Sequence, residues 1–349
     1  MEKQTRIDAL VALGSELRNL HQDPEWSDIL QLAQAENGWF TPDHVHQAVS
    51  AIATSMLTRA HLTAWIDHYP WVGGPTDRNI ALVMAGNIPL VGFHDWLCVF
   101  ASGHRAKVKL SDKDRVLLPF LVRKLGDIAF ESWAFTEFAV EYEPLRHFDA
   151  VIATGSDNSA RYFHQYFGKY PHIIRKNRNS IAVLDGTETK AELLALGKDI
   201  FNYFGLGCRN VSKLFVPFGY SFEFLLETLH EYRDLVQHNK YLNNFDYNFT
   251  LFVLNNIPYM NNGCILLKED DALTARIATL HYAYYQDSND LSAKIAQQKD
   301  NIQCGVGHVN LPDFPLLPFG TTQAPGLTDY ADGVDVMQFL SAIPGGVNA

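Results

Sequence analysis

Cysteine is scarce in this chain: four residues in 349, at positions 98, 208, 264 and 304, with no C-x-x-C pair. A disulfide framework and a structural zinc cluster are thereby excluded, and reduced, buried thiols are the plain expectation. Basic residues are also few. Against 39 Asp and Glu stand only 28 Lys and Arg, giving a formal net charge of -11. The longest basic stretch is Arg175-Lys176-Asn177-Arg178, so a nucleic-acid partner is not expected. No apolar run approaches the length of a membrane span, and the start MEKQTRIDAL lacks the apolar core of a signal peptide. The chain therefore reads as cytoplasmic, without an integral membrane segment. G-x-G-x-x-G and G-x-x-x-x-G-K-[ST] are missing from any strand-to-helix context, which removes the standard dinucleotide and kinase-type fingerprints but not the cofactors themselves. There is no H-x-x-x-H, and His44 and His46 do not share a helix face, so no metal site is expected.

What is present is length and apolar material. A chain of 349 residues exceeds what one hydrophobic core usually organises, so two domains or one large composite fold are expected, and the 47% apolar share is ample for both. Helical periodicity runs through residues 1–70, with Pro42 opening one helix, and ends at the loop WVGGPTDR. Then the pattern changes. The burst Ile80 to Ala85, a turn at Gly86 to Pro89, an apolar helix from Leu90 and a strand at Ala106 to Lys109 form a strand-helix-strand unit. Further strands are predicted near Phe138 to Tyr142, Asp149 to Ala153, His172 to Ile174 and Ile181 to Leu184, with helices over Arg115 to Leu125 and Ser159 to Phe167. Parallel strands with intervening helices indicate a nucleotide-binding α/β domain. Glu188 to Phe204 reads as a helix, and a second α/β unit starts close to Cys208; the Tyr- and Asn-rich stretch from Lys240 to Asn256 gives no clear assignment.

Cys208 stands in GLGCRNVSKLFVP, between flexible glycines and an apolar strand. A nucleophilic thiolate needs positive potential or N–H dipoles and a backbone that presents the sulfur; Gly205, Gly207, Arg209 and Lys213 are consistent with that, and equally with a helix end over a packed thiol. Cys98, Cys264 and Cys304 read as residues facing a core. The turns at Gly86 to Pro89 and Thr154 to Asp157 sit where open α/β sheets place ligands.

Taken together, GNIPLVG at 86–92, KVKLSD at 107–112, TGS at 154–156 and GLGCRNVSKLFVP at 205–217 occur in the order and approximate spacing of the aldehyde dehydrogenase superfamily. Over roughly residues 75–345 the chain most closely resembles the acyl-CoA reductase branch. The resemblance implies an α/β fold with a Rossmann-type cofactor domain and a smaller α/β catalytic domain: a helical segment at 1–75, the cofactor domain at 76–204, the catalytic domain at 205–315 and a closing segment at 316–349. It implies Cys208 as the nucleophile, and Asn87 as the amide that, with a backbone N–H, receives the charge growing on the carbonyl oxygen. Lys109, with Ser111 and Asp112 beside it, would bind the adenosine ribose, and Gly155 and Ser156 would border the pyrophosphate.

Hydrolytic members carry a general-base glutamate before the cysteine; here Arg175 stands at the matching place, within RKNRN. That departure implies an acyl-enzyme protected from water, hence reduction of a long-chain acyl-CoA to a fatty aldehyde through an acyl-cysteine, with a basic cluster available to a phosphate. The expected cofactor is NADPH, with NADH also compatible because Asp112 repels a 2'-phosphate while Lys113 and Arg115 offset it. A homo-oligomer is compatible with the resemblance. Two alternatives remain: an NAD(P)-dependent aldehyde dehydrogenase working in the oxidative direction, and a catalytically silent nucleotide-binding protein. Asp329, Tyr330 and Asp332 read either as the border of a substrate entrance or as a capped turn.

Overall fold

The computed structural model describes residues 1–72, 78–139 and 145–343. Within them the chain forms two compact units, Met1–Asn177 with Ala324–Ala349, and Arg178–Gln323. Residues 75 and 76, and 140–142 of the strand expected at Phe138 to Tyr142, lie outside the described residues.

The first unit opens with helices α1 (Lys3–Arg18), α2 (Trp26–Glu36), α3 (Pro42–Ala51) and α4 (Arg59–Asp67). Thr41 and Thr58 cap α3 and α4 by accepting the N–H of His44 and His61, and Pro42 occupies the first turn of α3, where its missing N–H costs nothing. The α/β part follows: β1 (Asn79–Val83), α5 (Phe93–Ser102), β2 (Arg105–Lys109), α6 (Leu117–Ile128), β3 (Thr136–Phe138), β4 (Ala150–Thr154), α7 (Asp157–Phe167) and β5 (His172–Arg175). Its sheet is parallel in the order β3-β2-β1-β4-β5. Ile80 to Leu82 and Val151 to Ala153 are buried on both faces, as the centre of a covered parallel sheet requires. α5 is apolar on nearly every side and correspondingly buried, with Phe93, Trp96 and Phe100 in the core.

The second unit contains β6 (Asn179–Val183), α8 (Lys190–Phe201), β7 (Val211–Pro217), α9 (Glu223–Leu229), α10 (Asn239–Leu254), β8 (Met260–Asn261), β9 (Leu266–Glu269), β10 (Thr279–Tyr285), α11 (Ser288–Gln298) and β11 (Ile302–Val306). Its sheet runs β11-β6-β7-β10-β9-β8, parallel except for the last pair. Two of its elements have no clear signature in the sequence. The Asn-rich stretch is the helix α10, because Tyr241, Phe245, Asn248 and Phe252 fall on one helical face and are buried there. β10 reads TLHYAYY, with no apolar run, yet lies inside the sheet between β7 and β9.

At Ala324 the chain returns to the first unit and ends in α12 (Val336–Ser341), capped by Asp335. This return is fastened by hydrogen bonds: the Trp65 indole donates to the Tyr330 hydroxyl at 2.8 Å, and Tyr69 bonds both Tyr330 and Asp335 at 2.8 Å. Tyr330 is thus an anchor of the C-terminal segment. Among the described residues no helix is long and apolar enough to cross a membrane.

Candidate functional site

In the first unit the chain goes from β1 outward through β2 and β3, then crosses back to β4 on the other side of β1. Where strand order reverses, the connecting segments diverge and leave a crevice at the carboxyl edge, the usual ligand position of an open α/β sheet. The expected cofactor residues come together along that edge. Gly86 and Asn87 follow β1, Lys109 ends β2 with Ser111 and Asp112 just beyond it, and Gly155 and Ser156 follow β4.

Local packing explains the shape of this edge. A Cβ at Gly86 would stand 2.7 Å from Ser111 Oγ, and one at Gly155 would stand 2.8 Å from the Ser159 Cβ, so neither position accepts a side chain without movement. Ser156 caps α7, its hydroxyl accepting the Ser159 N–H at 3.2 Å. The first turn of an eleven-residue helix therefore opens onto the edge, with N–H groups suited to a pyrophosphate. Exposed Lys109 supplies a cation and exposed Asp112 a carboxylate, the donor set that a dinucleotide needs. The residues present fit such a group.

Asp114 is a buried residue that sequence reasoning passed over. Its carboxylate accepts the Leu90 N–H at 2.9 Å and the Leu117 N–H at 3.4 Å, tying the loop after β1 to the start of α6. Leu90 is held at φ 57, a left-handed conformation unusual for a leucine. Burial pushes the Asp114 carboxyl up to about 6, against the two N–H bonds that lower it.

Cys208 lies in the second unit, half-buried, in the turn between α8 and β7. The approach to that turn is unusual. Tyr203, Phe204 and Gly205 are consecutive left-handed residues with φ 52, 57 and 74. For the two aromatic residues this costs roughly 1–3 kcal/mol each. Packing sustains it: the Phe204 ring lies 4.4 Å from that of His238 and 5.8 Å from that of Tyr241. Asn210 then holds the turn closed. Its Oδ1 accepts the Gly207 N–H at 2.8 Å, and its Nδ2 donates to the carbonyls of Asp199, Ile200 and Asn202 at 3.0, 3.3 and 2.8 Å. From the neighbouring strand the Ser180 hydroxyl donates to the Cys208 carbonyl at 3.0 Å. Asn210 was visible in GLGCRN as a turn-forming residue type; Ser180 carried no signal in sequence.

Other thiols and cations take different roles. Cys98 and Cys264 are fully buried, and burial raises both thiols, that of Cys264 to about 11. Cys304 is half-buried rather than set in a core. Lys213 is buried, donating to the Asp270 carbonyl, and burial brings its ammonium down to about 8. Asp185, Glu188 and His308 form a cluster with metal-ligand spacing, but their atoms are engaged: Glu188 accepts the N–H groups of Asp185 and Gly186, and His308 bonds Asp185 at 3.0 Å.

Arg175 is buried at the end of β5, with its guanidinium 2.5 Å from Asp95 on α5. Burial opposes the charge and Asp95 more than restores it. An enclosed ion pair of this kind is not a phosphate-attracting surface. Asp112 pairs with Arg115 at 2.8 Å on the exposed edge.

No family model matches the chain, and no curated protein matches it in sequence. Solved structures do match in fold. KauB, an aldehyde dehydrogenase from Pseudomonas aeruginosa, superposes with a TM-score of 0.65 at 12% identity, over 89% of this chain and 73% of its own. An aldehyde dehydrogenase from Mycobacterium tuberculosis complexed with NAD+ gives 0.61 at 13% identity, over 84% and 71%. Aldehyde dehydrogenase C from Pseudomonas syringae, a mutant with cysteine replaced by alanine and complexed with NAD+ and octanal, gives 0.62 at 11% identity, over 84% and 70%. These matches correct two expectations. The structures that the fold resembles are aldehyde dehydrogenases, several holding NAD+, which displaces NADPH-dependent reduction of acyl-CoA. Of the cations invoked for those readings, Arg175 is enclosed against Asp95 and Arg115 pairs with Asp112, while Lys113 and Lys176 are exposed. The chain has the two-domain α/β fold of the aldehyde dehydrogenases, with a Rossmann-type unit and a smaller α/β unit.

Proposed function

We propose that the protein oxidises an aldehyde with NAD+, using Cys208 as the nucleophile. The observation that carries the reading is the Cys208 turn: a half-buried thiol set on a left-handed, aromatic-packed backbone and pinned by Asn210, within a fold shared with NAD+-bound aldehyde dehydrogenases. Strain maintained at a thiol-bearing turn is a feature of functional sites.

On this reading the Cys208 thiolate adds to the aldehyde carbon, and the carbonyl oxygen gains negative charge. The Asn87 amide is assigned to that oxygen as a hydrogen-bond donor. NAD+, when bound, supplies the hydride acceptor for collapse of the adduct. Lys109, Ser111 and Asp112 are assigned to its adenosine ribose, and the α7 N-terminus with Gly155 and Ser156 to its pyrophosphate. Loss of hydride leaves a thioester on Cys208, which water cleaves to the carboxylic acid and the free thiol. With Arg175 enclosed against Asp95, no carboxylate base comes from that position, so deacylation is expected to be slower than hydride transfer and the thioester to accumulate.

The test uses the full chain with NAD+ and octanal as the probe aldehyde, following NADH and the free acid. A rapid first turnover of NADH followed by a slower steady rate is expected. Cys208→Ala should lower turnover by at least about a thousandfold while still binding NAD+. NADH formation at an unchanged rate in Cys208→Ala would remove the cysteine from the mechanism.

A further inference from the structure

Besides the Cys208 carbonyl, Ser180 touches a thiol. Its hydroxyl lies 3.1 Å from Cys304 Sγ as well as 3.0 Å from the Cys208 carbonyl, and the serine is fully buried between them. A hydroxyl has one proton. With Ser180 donating to the carbonyl, the Cys304 thiol donates to Ser180, and a chain runs from the Cys304 S–H through one oxygen atom to the backbone of Cys208.

The sheet is built to produce this arrangement. Between β6 and β11, Asn179 pairs with Ile302 and Ile181 with Gly305, so Gln303 and Cys304 together face the single residue Ser180. Between β6 and β7, Ser180 pairs with Val211 and Ile181 with Lys213, so an extra residue is inserted on that side too. Bulges on both sides of one residue bend the adjoining strands toward it and re-aim their side chains. Of the four cysteines, Cys98 and Cys264 are fully buried, and the two half-buried ones both contact Ser180, Cys304 through its thiol and Cys208 through its carbonyl.

We propose that Cys304 is a resolving thiol for Cys208, making the pair a site of reversible oxidation by peroxide. The proposal rests on the reading of Cys208 as the reactive thiol. The Cys208 thiolate attacks one oxygen of hydrogen peroxide, the O–O bond breaks, and hydroxide leaves; the sulfur loses two electrons and becomes a sulfenic acid. The Cys304 sulfur then attacks that sulfur, its proton going to the departing oxygen, and water leaves as the disulfide forms. In sum two thiols and one peroxide give one disulfide and two waters. A dithiol reductant reverses the change by exchange. Without Cys304 the sulfenic acid remains open to a second peroxide and to irreversible sulfinic acid.

The experiment treats the full chain with hydrogen peroxide, alkylates remaining thiols with N-ethylmaleimide after denaturation, and maps peptides by mass. The expected result is a Cys208–Cys304 linked peptide, both residues lost together from alkylation and both recovered by dithiothreitol. Cys304→Ser keeps a hydroxyl opposite Ser180, and in this variant Cys208 should gain two oxygens that dithiothreitol does not remove. Wild-type Cys208 gaining oxygens, or pairing elsewhere, while Cys304 stays alkylatable overturns the inference and leaves the nucleophile reading intact. A Cys208 inert in the folded protein to both peroxide and iodoacetamide overturns both.

Discussion

Replacing Asn210 by alanine should release the turn that carries Cys208. Asn210 is buried and gathers four backbone groups: the Gly207 N–H and the carbonyls of Asp199, Ile200 and Asn202. Its two amide protons serve three carbonyls, so the longest contact, to Ile200, counts as a shared bond, and three full hydrogen bonds are lost. At about 1 kcal/mol each this gives about 3 kcal/mol, with water able to repair part of the desolvation at the half-buried end. For a unit of this size that is a fall in Tm of roughly 6–12 °C. Because Tyr203 to Gly205 hold left-handed backbone against the turn, loss of the clamp should also relax the turn before the unit unfolds. Two assays separate the effects: calorimetry for Tm, and the rate at which iodoacetamide modifies Cys208 well below Tm. Asn210→Asp keeps the acceptor for Gly207 and loses the donors, so it should not rescue stability. A Tm within a degree or so of wild type and an unchanged alkylation rate would refute the assignment of Asn210 as the clamp.

The Asp114 carboxyl is raised to about 6 in the folded chain, so the native state binds the extra proton. Stability from this group is greatest below the unfolded carboxylate pKa and is lost as pH rises from about 4 through 6, by about 3 kcal/mol; thermal melts of Asp114→Asn should lack that decline, and an unchanged pH profile would argue against it. Asp112→Ala removes a carboxylate from the edge of β2 and frees Arg115, so the ratio of kcat/KM for NADP+ over NAD+ should rise by about tenfold, or about 1.4 kcal/mol; a ratio that does not move would take Asp112 away from the ribose. Asp199 accepts the N–H of Gly320 at 2.6 Å and both the N–H and the hydroxyl of Thr322 at 3.0 and 2.9 Å. Asp199→Ala should cost about 3 kcal/mol and open the segment around residue 320 to limited proteolysis; resistance equal to wild type would contradict this anchoring.

The α/β pattern of the first unit was legible because its parts announce themselves locally. Ile80 to Leu82 is an apolar burst, GNIP a turn, and Phe93 to Phe100 an apolar helix, all within a short stretch. β10 was not legible, since TLHYAYY places hydroxyls and a histidine where a covered strand usually shows an apolar run. α10 was obscured by asparagines of modest helix propensity, although its buried Tyr241, Phe245, Asn248 and Phe252 keep helical spacing. At the candidate site, Cys208 could be singled out from its own neighbours, but its supports could not. Ser180 is 28 residues away and reaches Cys208 only through strand pairing and two bulges. The same limit applies to Arg175. Its partner Asp95 is 80 residues distant, and without it the basic stretch reads as available charge.

On the proposed function, an acyl group passes through Cys208 during NAD+-dependent oxidation of an aldehyde. The most direct measurement is peptide mass mapping of the full chain quenched in acid during turnover of octanal and NAD+. An octanoyl thioester on Cys208 is expected, formed in step with the first turnover of NADH and absent without NAD+. Steady NADH production with no adduct at any quench time, together with undiminished turnover in Cys208→Ala, would contradict it.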